Sequence, residues 1–159
     1  MRRGGMILAA LAVATVALAA GPANGPYDPS LDGEKQLQQA GAQAKAGGKR
    51  VFIVVGGNWC KWCRALDALI VANEPLRHAL EKDFVLVQLN YSKENKNKPV
   101  LERLGNPDKL GFPVFVVVSS DLQVLMTQSS EGFETGDKER PGHDPAKLIA
   151  FLTQWSGRG

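Results

Sequence analysis

Two cysteines, Cys60 and Cys63, are the only thiols in 159 residues, and they sit together in Trp59-Cys60-Lys61-Trp62-Cys63. Sulfurs at this spacing can hold half of a metal site, staple the chain, or cycle between dithiol and disulfide. A staple gains its effect by closing a long loop, and a bridge between neighbours three apart restrains very little. A structural zinc needs a fuller ligand set. No second cysteine pair exists, and the histidines are only His78 and His143. The pair is therefore read as present for chemistry rather than as a staple, and no structural metal site is expected.

The surroundings of the pair sharpen this. Val51–Val55 is a short β-branched run ended by Gly56-Gly57, and the residues from Cys60 to Ala72 carry Leu66, Leu69 and Ile70 at helical spacing. The pair therefore opens a helix that follows a strand. Unpaired backbone N–H groups at a helix start favour an anion there, and Lys61 adds a nearby positive charge. Since the thiolate is the nucleophile in disulfide exchange, Cys60 is expected to attack and Cys63, a turn deeper, to resolve. Trp59 reads either as packing beside the site or as a contact to substrate. Trp62, between the cysteines, is expected to point outward with the same option.

The elements that must hold this pair follow from periodicity and punctuation. Asp32 can cap a helix over 33–46, ended by Gly47-Gly48. After the helix from Cys60, Asn73-Glu74-Pro75 breaks the pattern and restarts it to Lys82. Phe84–Leu89, Val114–Val118 and Gln123–Gln128 read as further strands, the polar stretch Tyr91–Pro99 as a loop, and Val100–Leu104 as a short helix. Glu131–His143 reads as a charged, solvated loop, with His143 in water and Glu131 and Glu134 as carboxylates that could approach the site. His78 is expected on the surface. Asp144-Pro145 caps a last helix with Leu148, Ile149, Leu152 and Trp155 on one face. The order α-β-α-β-α-β-β-α, with strands apolar on both faces, predicts an α/β domain: a central sheet of about four strands with helices on both faces.

With 44% hydrophobic and 22% charged residues the chain is an ordinary globular one, which excludes collagen-like, coiled-coil and broadly disordered classes. Residues 1–19 carry Arg2 and Arg3, then an uncharged apolar run from Met6, and Ala17-Leu18-Ala19 offers a processing site. The run is shorter than the roughly 20 residues of a membrane span, so a cleaved secretory signal peptide is expected, an uncleaved anchor being the alternative. Residues 20–32, with their Gly and Pro, read as a flexible leader, and 33–157 as the domain. Without Arg2 and Arg3 the 19 basic residues become 17 against 16 acidic ones, and the net charge falls from +3 to +1. No basic stripe is left for nucleic acid. Export also means an oxidising compartment, in which stray thiols tend to pair.

At Gly56–Arg64, whose pattern is G-x-N-W-C-x-x-C-R, and at Gly111-Phe112-Pro113 before a valine-rich strand, the chain resembles the thioredoxin superfamily over roughly Glu34 to Trp155. It is most similar to exported thioredoxin-like disulfide reductases or isomerases. The resemblance implies a thioredoxin fold with a mixed sheet and a cis peptide before Pro113, which would face the disulfide. It also implies that the backbone of Phe112 docks an extended client, so that Trp59, Lys61, Trp62, Phe112 and Pro113 form the substrate surface around the catalytic Cys60 and Cys63. Two positions depart from the family: Val54 stands where thioredoxin has a buried acid, and Gln88 where it has the accompanying lysine. Lys61-Trp62 also differs from the common dipeptides between the cysteines.

The function expected is a periplasmic protein-disulfide reductase, monomeric and without a diffusible cofactor. Disulfide-bearing proteins would be its clients and a membrane thiol-relay protein its electron donor. Disulfide isomerisation is the alternative within the same chemistry. A copper or zinc metallochaperone is chemically reasonable because thiolates are soft ligands, though no methionine lies between Met6 and Met126 to complete such a site. A redox-inert peptide-binding module would keep its clients after both cysteines were replaced.

Overall fold

The computed structural model describes residues 25–157. The signal peptide expected over residues 1–19 lies outside them. The chain runs α1 (Gly33–Gly47), β1 (Arg50–Gly56), α2 (Lys61–Ala72), α3 (Glu74–Asp83), β2 (Phe84–Asn90), α4 (Lys98–Arg103), β3 (Val114–Val118), β4 (Val124–Ser129) and α5 (Pro145–Trp155), with single 3-10 turns at Pro107–Leu110 and Ser130–Phe133.

The four strands form one sheet in the order β2-β1-β3-β4. β1 pairs with β2 in parallel and with β3 antiparallel, and β3 pairs antiparallel with β4, so the sheet is mixed. Successive side chains on a strand face opposite ways, and that alternation divides the interior in two. Phe52, Val54, Phe115 and Val117 meet Leu66 and Ile70 of α2, Leu76 and Leu80 of α3 and Leu148, Phe151 and Leu152 of α5. Val51, Ile53, Val55, Val114, Val116 and Val118 meet Leu37, Ala40 and Ala44 of α1 and Val100 and Leu101 of α4. Both central strands are covered on both faces, which is why they read as unbroken apolar runs. β4, at the edge, is exposed or half-buried throughout.

Local chemistry sets the helix ends. Asp32 accepts hydrogen bonds from the N–H groups of Glu34 and Lys35, and Asp144 from those of Ala146 and Lys147. Asn73 ends α2 and caps α3 through its side chain and Leu76 N–H (3.0 Å). Gly48, at φ 61°, closes α1 in the left-handed region that glycine tolerates best.

Three expectations are corrected. The leader expected over 20–32 is not free in its described part: Tyr27 is 1% exposed and belongs to the core under α2. Its N–H donates to Asn58 Oδ1 (3.1 Å) and its carbonyl accepts from Asn58 Nδ2 (2.6 Å). Gly and Pro composition signals flexibility, but it carries no information about a partner amide 31 residues away. The loop Glu131–His143 is not simply solvated either. It begins with a 3-10 turn whose Phe133 packs on Phe115 and Phe151, and Glu134 bridges His143 across its base. That bridge turns His143 inward, to 4% exposure. Finally, α4 starts at Lys98, within the stretch read as loop, with Pro99 in its first turn.

Candidate active site

β1 ends at Gly56, and the turn Gly57-Asn58-Trp59 delivers Cys60 to the N-cap of α2. Cys60 N–H donates to Gly57 carbonyl (3.0 Å), and Arg64 Nη1 donates to Asn58 carbonyl (2.6 Å), which ties the turn to the first turn of the helix. Cys60 and Cys63 are joined as a disulfide with Cα atoms 5.2 Å apart. Cys63 N–H donates to Cys60 Sγ (3.2 Å). This is the helix-start donor that stabilises negative charge on the first sulfur when the disulfide opens. Cys60 is 6% exposed and Cys63 1%, so the second cysteine is the more deeply buried of the two.

The Phe112–Pro113 peptide is cis. The Phe112 carbonyl oxygen lies 3.7 Å from Cys60 Sγ, and Pro113 is buried beside it. Trp59 is 58% exposed; its ring stands edge-on to Phe112 at 5.4 Å, and its Nε1 donates to the Tyr91 carbonyl (2.7 Å). Tyr91 packs on the same Phe112 ring at 4.7 Å. Trp59 and Tyr91 also wall a shallow depression of about 420 Å³ with Ser92, Lys93, Glu94 and Lys96. A larger cleft of about 630 Å³ between the start of α1 and residues 94–100 includes none of the cysteine-site residues.

The tryptophans reverse the sequence expectation. Trp62 does not point outward: it is half-buried against the core and meets the His143 ring edge-on at 5.9 Å. The exposed one is Trp59. His143, expected in water, has neither ring nitrogen hydrogen-bonded among the described residues, and burial lowers its pKa from 6.5 to about 4. Lys61 is exposed, and its Nζ donates to the Lys138 carbonyl (2.9 Å), so its charge is directed to the 134–143 loop rather than reserved for Cys60. His78 is on the surface as expected.

The carboxylates foreseen as stand-ins for a buried acid do not take that place. Glu131 is exposed, and Glu134 accepts from Ser130 Oγ (3.0 Å). Val54 pairs in register with Gln88, whose Nε2 donates to Asp67 Oδ1 (2.7 Å), one helical turn beyond Cys63. Sequence reading missed Tyr27, Asn58, Asp67 and Tyr91 as parts of the site. Asn58 alone carried a signal, its place in the G-x-N-W-C-x-x-C-R pattern.

Gly56 is where these parts crowd. A Cβ there would stand 2.6 Å from Cys63 Sγ and 2.8 Å from Tyr27 Oη. The sulfur is fixed by its bond and the tyrosine by Asn58, so neither yields easily. Gly56→Ala should therefore cost about 1–3 kcal/mol, the usual range for overpacking, read as a lower urea midpoint. An unchanged midpoint would show that the space opens at no cost.

Comparison with known proteins agrees with this geometry. A Thioredoxin-like family model matches residues 32–120. A solved structure described as a disulphide isomerase from Xylella fastidiosa Temecula1 superposes with TM-score 0.71 and 29% identity, covering 86% of this chain and all of that one. A second, described as DsbH oxidoreductase, gives TM-score 0.51 at 19% identity over 73% of this chain and 80% of that one, a likeness of fold. Among curated proteins, rat (Rattus norvegicus) spermatogenesis-associated protein 20 is 26% identical over 121 residues; the match takes in 73% of this chain and only 14% of that protein's length. Fold and cysteine pair are those of a thiol–disulfide oxidoreductase. The chain belongs to the Thioredoxin-like family.

Proposed function

We propose that this chain is an exported protein-disulfide reductase in which Cys60 is the nucleophile and Cys63 the resolving thiol. The observation that carries the reading is the asymmetry of the pair. Cys60 caps α2, receives the Cys63 N–H and faces the Phe112 carbonyl beside Pro113, whereas Cys63 is sealed beneath it. In the reduced protein the Cys60 thiolate attacks one sulfur of a client disulfide. A Cys60–client bond forms, and the client's other sulfur leaves as a thiolate that takes a proton from water. Cys63, as thiolate, then attacks Cys60 Sγ; the mixed disulfide breaks, the second client thiol is released, and the enzyme is left oxidised. Two electrons pass to the client, and a thiol donor must restore them.

Phe112 and Pro113 supply the backbone edge for an extended client, with exposed Trp59 as the flanking contact; Trp62 and Lys61 shape the rim through His143 and Lys138. Residues 1–19 as a signal peptide support export to the periplasm, where a membrane thiol-relay protein would be the donor. Isomerisation is the second reading, favoured by the likeness to the Xylella structure described as a disulphide isomerase.

The reduction potential tests the reading. A helix-start donor stabilises the reduced form, so equilibration with glutathione should place the couple above thioredoxin's value of about −270 mV. The reductase reading further requires net thiol production from a client disulfide, with Cys63 needed for turnover. Recovery of a scrambled multi-disulfide protein with Cys60 alone, and no net thiol production, would replace reductase by isomerase. A couple that neither reduces nor reshuffles any disulfide would overturn both.

A further inference from the structure

We propose that the Tyr27 hydroxyl is the hydrogen-bond donor that holds Cys63 as a thiolate once the disulfide opens. The inference deepens the resolving role proposed for Cys63 and rests on it. At Gly56 the strand has no side chain, and the space that a Cβ would occupy is bounded by two atoms, Cys63 Sγ at 2.6 Å and Tyr27 Oη at 2.8 Å. The phenol oxygen and the buried sulfur therefore border the same small space beside a glycine, and a Cys63 sulfur released from the disulfide has room to meet the hydroxyl there.

The tyrosine is placed there by the active-site turn itself. Asn58, two residues before Cys60, accepts from Tyr27 N–H and donates to Tyr27 carbonyl, and the ring beyond is 1% exposed. A buried thiolate without a donor is costly, and the neighbouring strand position that could have carried a polar group is Val54.

The titratable groups against this pair are few. From α2 come Cys63 itself and Asp67, from the N-terminal segment Tyr27; β1 contributes Gly56 and Val54, and β2 the uncharged Gln88 that holds Asp67. The Asp67 carboxylate opposes ionisation of Tyr27, and a thiolate buried at Cys63 needs a donor of its own. Burial and Asp67 both raise the Tyr27 pKa above its ordinary value, which keeps the phenol protonated. It acts as a donor and not as a base: no proton leaves it, and Cys63 loses its proton to solvent or to the outgoing client thiolate.

The test needs no client. In a Cys60→Ser background Cys63 is the only thiol of the chain, and its ionisation can be followed by thiolate absorbance across pH. Adding Tyr27→Phe keeps the ring and removes the donor. The Cys63 midpoint should move up by about one pH unit, a hydrogen bond to a charged group being of that size. Difluorotyrosine at position 27, a stronger donor of nearly the same shape, should move it down, and this arm remains informative if the phenylalanine variant is poorly folded. An unmoved midpoint in both variants, or a shift of the same sign in both, would overturn the role of Tyr27 and leave the disulfide chemistry of Cys60 untouched. Failure of that chemistry shows instead in client turnover.

Discussion

A Cys63→Ser variant should accumulate covalent adducts with client proteins, while Cys60→Ser should form none and should lose disulfide reduction to the background rate. The reason is the division of environment within one helical turn. Cys60 Sγ receives the Cys63 N–H and is the less buried of the two; Cys63, 1% exposed, lies behind it. Serine at 63 cannot expel the client, because its hydroxyl stays un-ionised near neutral pH and forms no disulfide. Serine at 60 removes the sulfur proposed to attack the client. Non-reducing electrophoresis of both variants, exposed to a mixture of disulfide-bearing proteins, reads the outcome directly. Equal trapping by the two variants would overturn the assignment of roles.

The second large effect concerns acid. His143 is buried against Trp62 with both nitrogens unpaired among the described residues, and its pKa falls from 6.5 to about 4. The unfolded chain binds a proton at this residue more readily than the folded one. Its neutral state thus contributes stability in full above pH 6.5, and that contribution is lost as the pH falls through the interval down to about 4. The loss amounts to about 3 kcal/mol when complete, at 1.36 kcal/mol per pKa unit. His143→Phe keeps an aromatic ring on Trp62 and removes the titration. Urea unfolding at a series of pH values should show the native protein losing stability more steeply than the variant below pH 6.5. Above that pH the two curves should run parallel. Carboxylates elsewhere titrate in both proteins and cancel in the difference. Parallel curves throughout would show that water reaches the imidazole.

Much of the site could be read without coordinates because its signals are local. A strand run, a glycine pair and a cysteine at a helix start lie within fifteen residues, and the N–H group that donates to Cys60 Sγ, that of Cys63, belongs to the same span. The helix caps at Asp32, Asn73 and Asp144 are equally local, each side chain reaching N–H groups two or three residues on. What was misread depends on distant partners. Trp62 and Trp59 have the same side chain three residues apart, and only the loop that carries His143 decides which one is covered. Tyr27 sits in a stretch whose composition argues for a loose leader, and Asn58 draws it into the core.

The sequence by itself therefore determined the strand-to-helix setting of the cysteines, the order of the elements and a sheet buried on both faces. Apolar periodicity and helix-start chemistry are properties of neighbouring residues, and they act wherever such a segment is placed. Tertiary structure alone decided which groups surround the second sulfur and the intervening dipeptide: Tyr27 across Gly56, Asp67 held by Gln88, and His143 on Trp62. Those pairings come from segments distant in the chain meeting at one end of the sheet. Burial there, and not residue type, keeps a tyrosine protonated and a histidine neutral.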